Sequence, residues 1–123
     1  MPRYVLLRHE CPPDYRDGPH WDLMLEYAGV LRTWSLLTLP SAWADGVGEA
    51  EVRADRLPDH RIAYLDYEGE VSGNRGHVKR IGTGEFQWQI DEADRVEVTT
   101  TGDLVGEWQL ERLDADRWRL SIG

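Results

Sequence analysis

Two side chains capable of metal chemistry stand two positions apart in the segment GPHWDLMLE, residues 18–26. Successive residues of a β-strand point to opposite faces, so His20 and Asp22 share one face if this segment is a strand. A neighbouring strand that ends in His9 would add a second imidazole to the same face. The three residues predict a metal site of two histidines and one carboxylate, with coordination positions left open for water or substrate.

Nitrogen and oxygen donors of this kind suit Mn²⁺, Zn²⁺ or Fe²⁺ and do not by themselves choose among them. Spacing alone leaves a second interpretation, in which His20 and Asp22 are a hydrogen-bonded pair on a solvent-facing surface and His9 is an exposed strand end. Cys11 lies in a proline-rich loop beside His9, either as a fourth ligand or as a free thiol. It is the single cysteine, which excludes an internal disulfide and a cysteine-based zinc site.

The elements that must position these residues are predicted from alternation of apolar and polar side chains. Strands are predicted at residues 4–9, 20–27, 30–37, 85–90, 95–102, 104–113 and 117–123. Residues 49–57 are ambiguous between strand and helix, and residues 59–69 predict a short helical turn that places His60 and Tyr64 on one face. The expected fold is all-β, a small closed or partly open β-barrel of about eight strands with one short helical turn, in a single domain over residues 1–123.

Composition and charge restrict the classes of function. The chain has 123 residues, 41% of them hydrophobic and six of them tryptophan, which predicts a folded globule. The sequence contains no signal-peptide pattern and no apolar run of about 18 residues, so a cytoplasmic protein without membrane contact is expected. The net charge of −9 argues against strong sequence-independent binding to nucleic acid.

A series of motifs then follows one order along the chain: RHE, HWDLMLEYAGVLRTWSL, LPS, DHRIAYLDYEGEV, LVGEWQLERL and a final WRL. This order resembles the 3′-phosphoesterase domain of bacterial DNA ligase D. The resemblance implies a compact β-barrel with a metal site in a groove, which trims 3′-terminal ribonucleosides and 3′-phosphates from DNA ends and prefers Mn²⁺, with Zn²⁺ as the alternative. By matched position it assigns His9, His20 and Asp22 to the metal, and His60 and Tyr64 to catalysis at the reacting phosphate.

The chain departs from the family pattern at positions that would bind phosphate. Met24 stands where the family has an arginine, and Thr38 stands where it usually has a lysine, so two cations are missing. The candidates to replace them as substrate-binding residues are Arg53, Arg56 and Arg75. The family segment D-H-P-L-x-Y-x-D-F-E-G reads DHRIAYLDYEG here.

Two classes of function follow. The first is a metal-dependent phosphoesterase that acts on DNA 3′ ends, or on another phosphoester, in end repair. Its expected partners are DNA and a separately encoded ligase or polymerase, on the expectation that the chain acts as a stand-alone domain. The second is a non-catalytic metal- and anion-binding module of the same fold, and a barrel that binds a small anionic ligand is a weaker alternative.

Overall fold

The protein is built almost entirely from antiparallel strands. The structure is a computed structural model that describes residues 1–10, 20–43, 50–71 and 76–123. Its strands are β1 (Arg3–Glu10), β2 (His20–Tyr27), β3 (Val30–Leu36), β4 (Glu51–Arg61), β5 (Gly69–Glu70), β6 (His77–Glu92), β7 (Arg95–Thr100), β8 (Gly106–Asp114) and β9 (Arg117–Ile122). The prediction of an all-β chain is confirmed.

The helical parts of the described residues are three short 3₁₀ segments, where the sequence predicts one helical turn. They are η1 (Ser41–Trp43), η2 (Ile62–Leu65) and η3 (Gly102–Leu104). None of the helices in the described residues has both the length and the apolar character needed to cross a membrane.

Eight of the strands close into a ring. The strands lie in the order β1-β2-β3-β4-β9-β8-β7-β6, and β6 pairs in turn with β1. The two-residue strand β5 pairs with the first two residues of β6 and is not part of the ring. The ambiguous segment at residues 49–57 belongs to β4, which pairs with β3 and β9. The strand number agrees with the expected eight, although the ring is less regular than a barrel.

The inside of the ring holds the main hydrophobic core, to which all eight strands of the ring contribute buried residues. Its aromatic side chains meet edge to face: Tyr4 and Trp108 have ring centroids 4.8 Å apart, and Trp34 and Trp118 have centroids 5.6 Å apart. These tryptophans occupy inward positions of their strands, which is what period-2 alternation predicts for them.

A second hydrophobic cluster covers the outer face of β1, β2, β3 and β6. Its strand residues are Val5, Leu7, Met24, Leu31 and Val78. Leu65 of η2 and Val71, which follows β5, complete it from above. Both faces of this part of the sheet are therefore buried, including the face of β2 that the sequence marks as mostly polar.

Candidate metal centre

His9 and His20 are brought together by the pairing of β1 with β2. The two strands run antiparallel, and His9 lies directly opposite His20 in their register. Residues directly opposite in an antiparallel pair project to the same face with Cβ atoms about 4.5–5.5 Å apart. The imidazole rings accordingly have centroids 4.7 Å apart.

Asp22 lies two residues beyond His20 on the same strand face and contacts both histidines. Asp22 Oδ1 is 3.2 Å from His20 Nε2, and Asp22 Oδ2 is 3.6 Å from His9 Nδ1. One ligand atom from each of the three residues can be chosen so that all lie within 4.8 Å of one another. The structure thus brings together the three residues that the sequence nominates as metal ligands.

The three side chains lie beneath the surface on the outer face of the ring. His9, His20 and Asp22 are 8%, 2% and 3% exposed, which excludes the alternative of a hydrogen-bonded pair on a solvent-facing surface. Burial acts to raise the pKa of the Asp22 carboxyl, but the contacts with His20 and His9 outweigh it and leave that pKa at about 2. Asp22 is therefore an anion at neutral pH, as a metal ligand must be.

The donor set fits a first-row divalent ion. Donors about 2.0–2.2 Å from one ion, at tetrahedral or octahedral angles, lie roughly 3.0–3.4 Å apart. The two contacts of Asp22, at 3.2 and 3.6 Å, are close to this range, whereas the three donors together span up to 4.8 Å and would have to draw closer around an ion. Asp22 Oδ1 is buried, and no donor among the described residues is aligned to form a hydrogen bond with it. A buried carboxylate is costly unless its charge is compensated, which the contacts with His20 and His9 do here and a bound cation would do as well.

His60 reaches the same region from β4, although not from a helix. β4 continues through Arg61, so the predicted helical turn at residues 59–69 is wrong at His60, which is in extended backbone. The pairing of β3 with β4 shifts register between Leu31 and Thr33, so that Leu31 faces His60 while Thr33 faces Leu57. One extra residue on β4 lets Leu57 and His60 both turn to the outer face, as expected at a β-bulge.

A hydrogen bond to the backbone orients the His60 ring. His60 Nδ1 lies 3.0 Å from the carbonyl oxygen of Pro58. A carbonyl oxygen only accepts, so Nδ1 carries the hydrogen in this contact and Nε2 is left for the cleft.

Tyr64 lies on η2, close to His60. The two rings have centroids 5.9 Å apart and meet nearly edge to face, and the Tyr64 ring is half-buried against the outer hydrophobic cluster. The sequence predicts that these residues are neighbours within a helical turn, whereas in the structure they are neighbours across the junction of β4 and η2.

One cleft of about 530 Å³ connects these groups. It is lined by His9, Asp22, Met24, Leu57, Pro58, Asp59, His60, Arg61, Tyr64, Val71 and Val78. Met24, which replaces the arginine of the family pattern, is 1% exposed and belongs to this lining. The lining of the cleft therefore combines two of the candidate metal ligands with apolar side chains and with His60 and Tyr64.

Two of the three arginines expected to replace the missing phosphate ligands, Arg53 and Arg56, are not at this cleft. Arg53 is exposed and pairs with Asp55, with 2.8 Å between Nε and Oδ1. Arg56 contacts Asp59 at 3.2 Å and lies over the Trp34 ring, 4.7 Å from its centroid. Neither belongs to the lining of the cleft, and Arg75 is outside the described residues.

Arg61 is the cation that sequence reasoning did not nominate for the site. It is the last residue of β4 and lines the cleft beside His60. A signal was present in the sequence, because the segment DHRIAY carries arginine where the family pattern D-H-P-L-x-Y has proline.

Comparison with known proteins gives a consistent family. The DNA Ligase D 3'-phosphoesterase domain family matches residues 13–120. The chain is 32% identical over 108 residues to the Multifunctional non-homologous end joining protein LigD of Mycobacterium bovis and to the Multifunctional non-homologous end joining DNA repair protein LigD of Mycobacterium tuberculosis. The match covers 81% of this chain but only 14% of each relative. The chain belongs to the DNA ligase D 3′-phosphoesterase domain family.

Proposed function

We propose that this protein is a divalent-metal-dependent phosphoesterase that removes a 3′-phosphate or a 3′-terminal ribonucleotide from DNA ends. Membership of the family supports a phosphoesterase role in DNA end repair. One observation carries the finer proposal: His9 and Asp22, which form a buried cluster with His20, line the same cleft as His60 and Tyr64.

His9, His20 and Asp22 would hold the ion, with Mn²⁺ as the proposed metal and Zn²⁺ as the alternative. A bound divalent ion supplies a Lewis acid that polarises a phosphoryl oxygen and lowers the pKa of bound water. The protein contributes a buried, preorganised anion in Asp22 and two imidazoles fixed on paired strands, so little reorganisation is needed on binding.

His60 is the proposed proton-handling residue. Its Nδ1 donates to the Pro58 carbonyl, so Nε2 is available to accept a proton, or to donate one to a phosphoryl or leaving-group oxygen when the ring is protonated. The hydroxyl of Tyr64 would donate a hydrogen bond to the phosphoryl group from the other side of His60.

A second candidate function is a non-catalytic metal- and anion-binding module. The observation that favours it is the apolar floor of the cleft. Met24, which stands where the family pattern has an arginine, is buried there beside Val71 and Val78. Loss of charge at that position would weaken binding to the phosphoryl group in the transition state, where electrostatic stabilisation matters most.

A gel assay separates the two functions. The substrate is a labelled primer–template with either a 3′-phosphate or one 3′-terminal ribonucleotide, incubated with Mn²⁺ or with chelator. We expect trimming that requires Mn²⁺, that is lost in His20→Ala, and that falls by about 10²–10⁴-fold in His60→Ala. His77→Ala, at an exposed histidine of β6 outside the cleft, should retain full activity.

Circular dichroism and a metal-binding titration complete that experiment. Absence of trimming by folded, Mn²⁺-loaded wild-type protein would contradict the enzyme proposal and support the binding module. If His20→Ala trimmed as well as wild type, the metal assignment would be wrong.

The product of the proposed reaction suggests its partners. Removing a 3′-phosphate leaves a 3′-hydroxyl, the group that a ligase joins and a polymerase extends. We therefore propose that a separately encoded ligase or polymerase uses the trimmed end.

A further inference from the structure

We infer that Arg61 is the phosphate-binding cation of the cleft and that it binds the terminal phosphate of the substrate from the rim. This inference rests on the proposed function in one respect, namely that the occupant of the cleft is a phosphoester with a free terminal phosphate. The positive charge that the family pattern has at the position of Met24, on β2, would then come from Arg61 at the end of β4.

Position is the first observation. Among the lysines and arginines of the described residues, Arg61 alone lines the cleft that holds the metal-ligand set. It directly follows His60 in the chain and also lines a smaller hollow of about 240 Å³ together with Tyr64, Tyr67 and Glu70. Arg61 is thus between the catalytic candidates and a second surface that can receive the rest of a substrate.

Availability is the second observation. Many other arginines of the described residues are engaged by acids, among them Arg3 with Asp66, Arg8 with Glu10 and Arg56 with Asp59. Arg61 is exposed, and within the described part of the chain it forms an ion pair neither with Asp59 nor with Glu70. Within the described residues, no neighbouring carboxylate therefore neutralises the Arg61 guanidinium.

The charge balance of the cleft is the third observation. The floor at Met24, Val71 and Val78 is apolar, and the acid at the rim, Asp59, is paired with Arg56 at 3.2 Å. A terminal phosphate carries about −1.5 to −2 charge at neutral pH, more than a phosphodiester. Guanidinium binds such a group bidentately, so a single arginine on the rim can provide both charge and orientation.

The test measures binding without metal, so that it does not depend on turnover. Fluorescence anisotropy with chelator present compares two short single strands of one sequence, one ending in a 3′-phosphate and the other in a 3′-hydroxyl. We expect wild type to prefer the 3′-phosphate and Arg61→Gln to lose about tenfold or more in affinity for that strand only. Arg61→Lys should keep part of the preference, because it retains the charge but not the bidentate geometry.

Arg53→Gln is the matched control. Arg53 lies on β4, as Arg61 does, but at an exposed position outside the cleft. Its replacement removes one positive charge and should leave the preference for the 3′-phosphate strand unchanged. Circular dichroism confirms folding of each variant. The inference is overturned if wild type shows no preference, if Arg61→Gln keeps it, or if Arg61→Gln weakens binding of both strands equally, since the last result would indicate an internucleotide phosphate.

The Mn²⁺ gel assay on the same proteins separates this inference from the proposed function. If wild type binds the 3′-phosphate through Arg61 but trims nothing, the inference stands and the enzyme proposal fails. If wild type trims and Arg61→Gln trims with unchanged KM, the enzyme proposal stands and Arg61 is not the phosphate ligand.

Discussion

Asp22 is the anionic member of the candidate metal centre. It is 3% exposed, it contacts both imidazoles, and its Oδ1 has no aligned donor among the described residues. Burial disfavours the carboxylate, and the contacts with the two histidines more than offset this effect on its pKa. A cation bound as proposed above would add a further compensating charge.

Asp22→Asn is expected to reduce affinity for Mn²⁺ at least a hundredfold. The reason is that a charged ligand is lost, whereas changing a group that merely orients a ligand already costs about 10–100-fold. Isothermal titration with Mn²⁺ and with Zn²⁺ measures the effect. Asp55→Asn, at an aspartate that pairs with Arg53 on the surface, is the control and should bind as wild type does. Equal affinity in wild type and Asp22→Asn would remove Asp22 from the ligand set.

The stability of the metal-free protein should depend on pH through Asp22. Its pKa is about 2 in the folded state against an ordinary value of 3.8, so between these values the unfolded chain binds more protons than the folded one. The free energy of unfolding then rises with pH in this range, and the contribution of Asp22 is complete above the ordinary value and lost as the pH falls towards 2.

Urea unfolding with chelator between pH 2 and 6 measures this dependence. We expect the stability difference between wild type and Asp22→Asn to shrink as the pH falls. A difference that stays constant over the whole range would contradict the lowered pKa.

At the scale of elements, closure of the ring at β1 and β6 keeps β1, with His9, in place. The Tyr4 hydroxyl of β1 donates to the Thr101 carbonyl at 2.6 Å and accepts from the Leu104 amide at 2.9 Å. β6 crosses this contact at Gly84, where a Cβ atom would lie 2.3 Å from the Thr101 carbonyl oxygen and 2.8 Å from the Tyr4 hydroxyl. Only glycine leaves room for the three segments to meet.

Gly84→Ala should therefore destabilise the fold by about 1–3 kcal/mol, the usual cost of overpacking, because backbone has to move. Chemical denaturation gives the free energy of unfolding. Gly82→Ala is the matched control on the same strand, where the nearest atom is a side-chain carbon of Leu104 at 3.0 Å that can shift, so its effect should be smaller. A larger loss in Gly82→Ala than in Gly84→Ala would show that closure does not depend on this crossing.

At the scale of the whole molecule, an acidic surface surrounds a cleft with one lining arginine among the described residues. The net charge is −9, and the arginines of the described surface are mostly paired with acids. If the protein acts on DNA ends as proposed, its affinity has to come from local contacts at the 3′ end rather than from a long-range positive field.

The salt dependence of DNA binding should consequently be shallow. Each neutralised phosphate contributes a slope of about −0.7 for single strands in a plot of log K against log salt, so one contact through Arg61 predicts a slope near −1 or weaker. Anisotropy titrations of a 3′-phosphorylated strand between 50 and 200 mM salt test this. A slope several times steeper would indicate a basic surface, which would then have to include residues outside the described ranges.

Part of the site could be predicted from sequence because it depends on local geometry. Alternation along β2 is enough to place His20 and Asp22 on one face, and a single antiparallel pairing with β1 adds His9. The all-β class likewise follows from alternation that persists along the chain.

The rest was decided by contacts between residues distant in the chain. The outer face of β2 is buried because Leu65 and Val71 pack over it, some forty positions after Asp22. His60 faces the cleft because the pairing of β3 with β4 shifts register at Leu31, and that shift reverses the face that simple alternation assigns. The sequence by itself determined which residues of β1 and β2 share a strand face, whereas the tertiary structure decided burial, the face of His60, the position of Arg61 and the surroundings of the candidate metal ligands, since these depend on long-range packing.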